Sequence, residues 1–317
     1  MRIGIVGAGA IGGFIAAALA NAGVSVAIVA RGPHLAAIRR DGLRIRSDLG
    51  EFAVRLEAAE DLRALGDFDV LLLTFKAHHW PAFLAQLEPF AQRGTSVVTM
   101  QNGLPFWFVR EPPLRSVDPG GRIGRLFPDE RTIGGVVHVS GTIVAHGEIR
   151  QSGGLRYVLG DPSGAENERL RALADAFSRA GLAPEIDPAI RTTVWLKLVN
   201  NAGLNPMSVI SGMSVKPMLA DPGVRARVRA LMIEALEVGR AMGVVGEVNV
   251  DERIAYAARL DDVRTSMLQD FELGRSLELD PILGAIVELA QRRRVAVPLL
   301  ESTYEELRNR AASRSAT

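Results

Sequence analysis

Apolar and polar positions follow two periods along this chain, and the change from one to the other marks a domain boundary. From Ile3 to Ala30 there is no charge. Such a run could span a bilayer, which needs about 20 residues, and a secretory signal also opens with a basic residue and an apolar stretch. Its internal punctuation argues for something else. Ile3, Ile5 and Val6 form a short β-rich run, Gly7-Ala8-Gly9-Ala10-Ile11-Gly12 follows, and a helix-prone stretch covers 14–20. Asn21-Ala22-Gly23 stops that helix, and 24–29 is strand-like again. A unit of about 30 residues is one βαβ module, whose strands are apolar because both faces of a parallel sheet are covered. Neither a membrane span nor a signal peptide is expected.

The same alternation continues. Strands are predicted over 42–46, 52–56, 69–75 and 95–100, with a helix over 81–92 between the last two. A proline-rich irregular segment, 104–131, carries the turn signal Asp118-Pro119-Gly120-Gly121 and reads as a long loop or lid. Strand patterns return at 132–139, 142–145 and 155–159, and 166–179 is amphipathic with a helical period. Beyond about residue 185 the pattern is helical throughout. Asp187-Pro188, Asp221-Pro222 and Asp280-Pro281 each pair an N-cap with proline at the first helical position. The expected fold is therefore an α/β domain with a doubly wound, Rossmann-type sheet over 1–185, then an all-α domain over 186–317. The Asn205-Pro206 pair is expected to end or kink its helix.

Composition narrows the function. With 317 residues and 48% hydrophobic content, the chain has ample core for two domains. A net charge of +1 gives no reason to expect nucleic acid or a membrane surface as partner. The absence of cysteine excludes thiolate chemistry and fits a reducing cytoplasm. No metal site is expected. Of 37 basic residues only Lys76, Lys197 and Lys216 are lysine. Arginine cannot release its proton at working pH, so a chain that uses arginine almost everywhere else marks its lysines as candidates for chemistry.

The stretch Gly7 to Gly12 has the GxGxxG form and follows a strand and opens a helix. Gly7 permits the tight turn, Gly9 lets backbone approach a pyrophosphate, and Gly12 allows close helix–strand packing. The amides of Ala8, Ala10 and Ile11 belong to the same anion-binding turn. About 20 residues on, where an NAD site carries Asp or Glu, stands Arg31, which suits a 2′-phosphate. Lys76, at the carboxyl end of a later strand, could reach the same end of the cofactor. NADP(H) is the cofactor expected.

A second constellation opens the helical domain in VWLKLVNNAGLNP. Lys197, Asn201 and Asn205 lie at i, i+4 and i+8 and share one helix face. The apolar neighbours of Lys197 would lower its pKa by desolvation, and a carboxylate would raise it. An amine balanced in this way can donate a proton near neutral pH. Farther on, TSMLQDFELGRSLELDP supplies Ser266 and Asp270 one helical turn apart, with Glu278 on a connector where it could pair with Lys197.

These motifs in this order, together with TFKA at Lys76 and QNG at Asn102, resemble the ketopantoate reductase (2-dehydropantoate 2-reductase) family over nearly the whole chain. The resemblance implies a small-molecule 2-oxo acid substrate, reduced by hydride from NADPH in a cleft between a Rossmann domain and a helical domain. It makes Lys197 the general acid and Glu278 its partner and a ligand of the substrate hydroxyl. Asn102, Asn201, Asn205 and Ser266 would bind substrate, Asn102 would also sit by the nicotinamide, Arg31 and Lys76 would hold the adenosine phosphate, and Ser140 would add a cofactor contact. Two departures bear on the substrate: the long 104–131 segment with its Phe106-Trp107-Phe108 run, and Val215 where compact members carry an asparagine. Reduction of a different 2-oxo acid or ketone is the enzymatic alternative, and an NADP(H)-binding sensor the non-enzymatic one. The apolar, arginine-bearing helices after Asp221 would serve a homodimer interface as well as an internal core.

Overall fold

A computed structural model describes residues 1–259 and 262–315. The chain divides into two units. One comprises 1–101 and 122–190 and contains every strand; the other comprises 102–121 and 191–317 and is helical. The division is thus not a single cut near residue 185, because 102–121 leaves the sheet unit and joins the helices.

The sheet unit begins β1 (Arg2–Val6), α1 (Ala10–Asn21), β2 (Ser25–Val29), α2 (Gly32–Asp41), as the glycine punctuation requires. A hairpin, β3 (Leu43–Ser47) and β4 (Gly50–Val54), and a short β5 (Glu57–Ala59) follow. Then come β6 (Val70–Leu73), α3 (Trp80–Gln92), β7 (Ser96–Thr99), α4 (Arg122–Leu126), β8 (Thr132–Ala145), β9 (Glu148–Gly160), α5 (Glu168–Arg179) and β10 (Ala183–Ile186). The sheet order is β4-β3-β9-β8-β7-β6-β1-β2-β5, with β10 also on β9. The run β8-β7-β6-β1-β2-β5 is parallel throughout. Strands β1, β6 and β7 are buried without alternation because both faces are covered. The antiparallel pairs are β3–β4 and β8–β9.

Helix α1 is buried on all sides from Gly12 to Leu19 and lies at the centre of this unit's core. The patterns at 132–139 and 142–145 prove to be one long strand, bulged on either side of Ser140. The bulges change which face the polar residues take, and that is why the alternation read as two strands.

The helical unit comprises α6 (Ile190–Ser211), α7 (Val215–Ala220), α8 (Pro222–Ala241), α9 (Val250–Arg259), α10 (Ser266–Glu272), α11 (Ala285–Arg293) and α12 (Pro298–Ser315). Three start signals had three outcomes. Asp221 caps α8, its carboxylate accepting from Val224 N. Asp187 instead accepts from Ala189 N, and α6 starts only at Ile190. Asp280 sits inside a π-turn (Asp280–Gly284) that leads into α11, and its carboxylate takes the Tyr304 hydroxyl. Helix α6 also runs through Pro206 to Ser211 rather than ending at Asn205. The residues after Pro206 are largely buried, and tertiary packing outweighs the lost backbone bond there. Among the described residues no helix is long and apolar enough to cross a membrane.

The expected loop at 104–131 is ordered in short turns. Residues 106–108 and 129–131 each form a helical turn, and 119–121 is a turn with Gly120 at φ +77°. Glu288 of α11 accepts from Arg115 N, Ser116 N and Ser116 Oγ at 2.8–3.0 Å. Arg292, one turn on, donates to Pro112 O and Pro113 O. One helix turn thereby supplies hydrogen-bond partners to a stretch whose prolines have no N–H.

Candidate active site

At the carboxyl end of β1 the backbone is held by close approach. Gly7 has φ +116°, and a Cβ there would lie 2.8 Å from Phe75 N. A Cβ on Gly12 would lie 2.1 Å from Gly7 O. Thr74 Oγ, after β6, donates to Gly7 O at 2.8 Å and locks the turn against the neighbouring strand's exit. Gly9 is different: nothing lies within 4 Å of a Cβ built there. It precedes α1, which no side chain caps. Open space before the unsatisfied N–H groups of a helix start is a fit for a phosphate group. Strand β8 passes the same place, since a Cβ on Gly141 would come 3.6 Å from Ala10 Cβ. Ser140 is exposed beside it.

Arg31 follows β2 and is exposed, with its guanidinium 4.6 Å from the centroid of the Phe83 ring. Phe83 stacks on Phe75 at 4.5 Å, and Trp80 meets Phe75 edge-on at 5.1 Å. Lys76 directly follows Phe75. Arg31, on this aromatic floor, and Lys76 are close enough to a third group, His79, for both charges to act on it. Sequence reasoning passed over His79, although the HHW run directly after TFKA was its signal.

The second constellation lies within the helical unit. Lys197 and Asn201 are half-buried on α6 and Asn205 is buried. The first turns of α6 are braced by aromatic packing. Trp195 is fully buried, donates Nε1–H to Ala235 O at 3.2 Å, and packs on Phe108 at 5.7 Å. Arg191 donates twice to Phe108 O at 3.0 Å and lies over that ring. The Phe106-Trp107-Phe108 run is therefore core, with its rings no more than 3% exposed.

Desolvation pulls the Lys197 ammonium down to about 8, and the Glu278 carboxylate partly offsets the fall. Glu278 stands on the connector after α10 and is 8% exposed, so it is not the solvated surface acid that a connector glutamate usually is. A carboxylate buried to that degree needs a cation or hydrogen-bond donors to offset its desolvation, and Lys197 is a cation within its reach.

The far end of the constellation is joined by a buried hydroxyl relay. Ser208 Oγ donates to Asn205 O at 2.7 Å and lies 2.6 Å from Thr265 Oγ1. Thr265 caps α10 by accepting from Leu268 N at 3.1 Å. Since the single Ser208 proton goes to Asn205, Thr265 is the donor between the two hydroxyls. This relay sets Asn205 on α6 relative to Ser266, the exposed first residue of α10. Asp270, one turn beyond Ser266, is buried instead. Gly103, in the QNG turn after Asn102, has φ +84°, and a Cβ there would meet Pro281 O at 2.5 Å. Leu104 N donates to the same oxygen at 2.7 Å. Val215 is buried as the first residue of α7. Lys216 beside it is exposed, its backbone N–H bonded to Asp262.

Comparison with known proteins agrees over both units. The family model "Ketopantoate reductase PanE/ApbA" matches residues 3–164, and its C-terminal counterpart matches 189–311. A 2-dehydropantoate 2-reductase of Mesorhizobium japonicum is 40% identical, with 99% of each chain covered. A crystal structure from Ralstonia solanacearum MolK2, of a chain assigned to ketopantoate reductase, superposes with TM-score 0.92 at 37% identity and covers 99% of this chain and 98% of that one. The crystal structure of 2-dehydropantoate 2-reductase from Methylococcus capsulatus gives TM-score 0.84 at 32% identity, with the same coverage.

Proposed function

The chain belongs to the ketopantoate reductase family, and from that premise we propose that it reduces the 2-oxo group of 2-dehydropantoate to the hydroxyl of pantoate, using NADPH. The observation that carries this reading is Lys197: a half-buried lysine whose ammonium is desolvated enough to bring its pKa to about 8, under the influence of the buried Glu278 carboxylate. At neutral pH it is protonated, yet far readier to give up that proton than an ordinary lysine.

Bound NADPH supplies the hydride, chemistry that belongs to the cofactor. The protein supplies the rest. The ammonium of Lys197 donates a hydrogen bond to the ketone oxygen and stabilises the negative charge that grows there. It then gives that oxygen its proton. Glu278 keeps Lys197 charged until that moment and accepts from the substrate hydroxyl. The amides of Asn201 and Asn205 and the hydroxyl of Ser266 take the remaining hydroxyl and carboxylate oxygens. The turn from Gly7 to Gly12 cradles the pyrophosphate, Arg31 and Lys76 hold the 2′-phosphate, and Asn102 and Ser140 position the nicotinamide end.

NADPH consumption by the purified protein with 2-dehydropantoate, beside pyruvate, 2-oxoisovalerate and oxaloacetate, tests the reading. Turnover of 2-dehydropantoate well above the others is expected. Faster turnover of another 2-oxo acid would move the chain to that substrate, and NADPH binding without turnover of any would leave a sensor.

A further inference from the structure

The loop after β6 turns back on itself. His79 N–H donates to Lys76 O at 2.8 Å, closing a single helical turn (Ala77–His79) that keeps the backbone of His79 next to that of Lys76. The base of the loop is fixed by the Thr74 bonds to Val6 O and Gly7 O, and its far side by Phe75 and Trp80. The His79 ring is exposed and meets His78 edge-on at 4.3 Å. Arg31 reaches the same place from the β2–α2 turn, over Phe83. Arg31 on its aromatic floor and Lys76 thus both act on His79, and the charged or titratable groups about His79 are Arg31, Lys76 and His78.

We infer that His79 is a third member of the phosphate-reading site: when the 2′-phosphate of NADP(H) enters between Arg31 and Lys76, the imidazole takes one proton from solvent and becomes a third positive contact. This rests on the NADP(H) reading above. Partial desolvation, then the charges of Arg31 and Lys76, holds the free imidazole below its ordinary range. It is therefore neutral at neutral pH and adds no repulsion to an empty site. A phosphate dianion reverses the sign of the local field and makes the protonated form the favoured one. NADH, with no 2′-phosphate, offers no such reversal.

The test is calorimetric titration of the full-length protein with NADPH and with NADH, in two buffers of different ionisation enthalpy. It is run near pH ~7.5, where the phosphate is already largely dianionic. NADPH binding should take up a substantial fraction of one proton, and NADH binding close to none. Between about pH 7 and 8.5 the NADPH dissociation constant should rise roughly 3- to 10-fold more than that of NADH. His79→Gln should abolish the uptake and weaken NADPH by a similar factor, with NADH unchanged. His79→Arg should keep the affinity without the uptake, and His78→Gln should keep both. Tight NADPH binding with no proton uptake, or uptake that survives in His79→Gln, would overturn the inference alone. NADPH binding no tighter than NADH at any pH would overturn the cofactor reading, and the inference with it.

Discussion

In the reading proposed above, the groups that would meet a ligand at the carboxyl end of β1 are backbone N–H groups, whereas on α6 they are an ammonium and two amides, with the Glu278 carboxylate acting on the ammonium. The first set is placed by the absence of side chains: Gly7 and Gly12 admit contacts that a single Cβ would break. The second is placed by burial of side chains that would ordinarily stay in water, held by Trp195, Arg191 and the Ser208–Thr265 relay. The glycine turn carries no side-chain charge of its own and would hold its ligand through backbone N–H groups. The lysine site stores an electrostatic imbalance, which a proton-transfer step can use.

Substitutions can break each half separately. The largest loss is expected from Lys197→Ala, which should lower kcat by about 10²- to 10⁴-fold in NADPH-coupled turnover. NADPH affinity, measured by titration, should not move; a joint loss would mean the two halves are not separable. Gly12→Ala should do the reverse. Its methyl group has backbone on one side, so the turn must shift, with about 1–3 kcal/mol of overpacking and a tenfold or greater rise in the NADPH dissociation constant. Arg31→Asp should weaken NADPH by roughly 10- to 100-fold and NADH little, as expected for a charge-assisted bond to phosphate; equal losses would show that Arg31 does not read the phosphate. The smallest effect is expected from Ser208→Ala. Losing its two buried hydrogen bonds, to Asn205 O and with Thr265 Oγ1, should raise KM for the oxo acid roughly 3- to 10-fold and leave kcat nearly unchanged. A fall in kcat alone would mean the relay acts on Lys197 rather than on Asn205.

The two halves were also legible in the sequence to different degrees. A glycine turn is encoded by contiguous residues, and the strand before it and helix after it carry their own periodicity, so 1–30 could be read almost element by element. Lys197, Asn201 and Asn205 were legible because a single helix fixes their spacing. Glu278 could be placed on a connector, but its burial could not be read, since that depends on segments far away in sequence. The Asn205-Pro206 pair read as an end or a kink because local propensity allows either, and the helix does not end there: it continues to Ser211 with 207–209 buried. The segment 104–121 read as a loop because its partners, Glu288, Arg292, Arg191 and Trp195, lie about 70 to 190 residues away in the sequence. His79 had a local signal in the HHW run after TFKA, but its link to Arg31 was hidden, because only the fold brings Arg31 to it.

The most direct measurement is the pH dependence of kcat/KM for 2-dehydropantoate reduction in the wild type and in Glu278→Gln. Lys197 loses its proton above about 8, so wild-type activity should fall across that range as the acid form is lost. Glu278 raises the lysine pKa, and removing its charge should shift the fall to lower pH. A fall that stays in place in Glu278→Gln, or activity that rises through pH about 8 in the wild type, would contradict Lys197 as the proton donor.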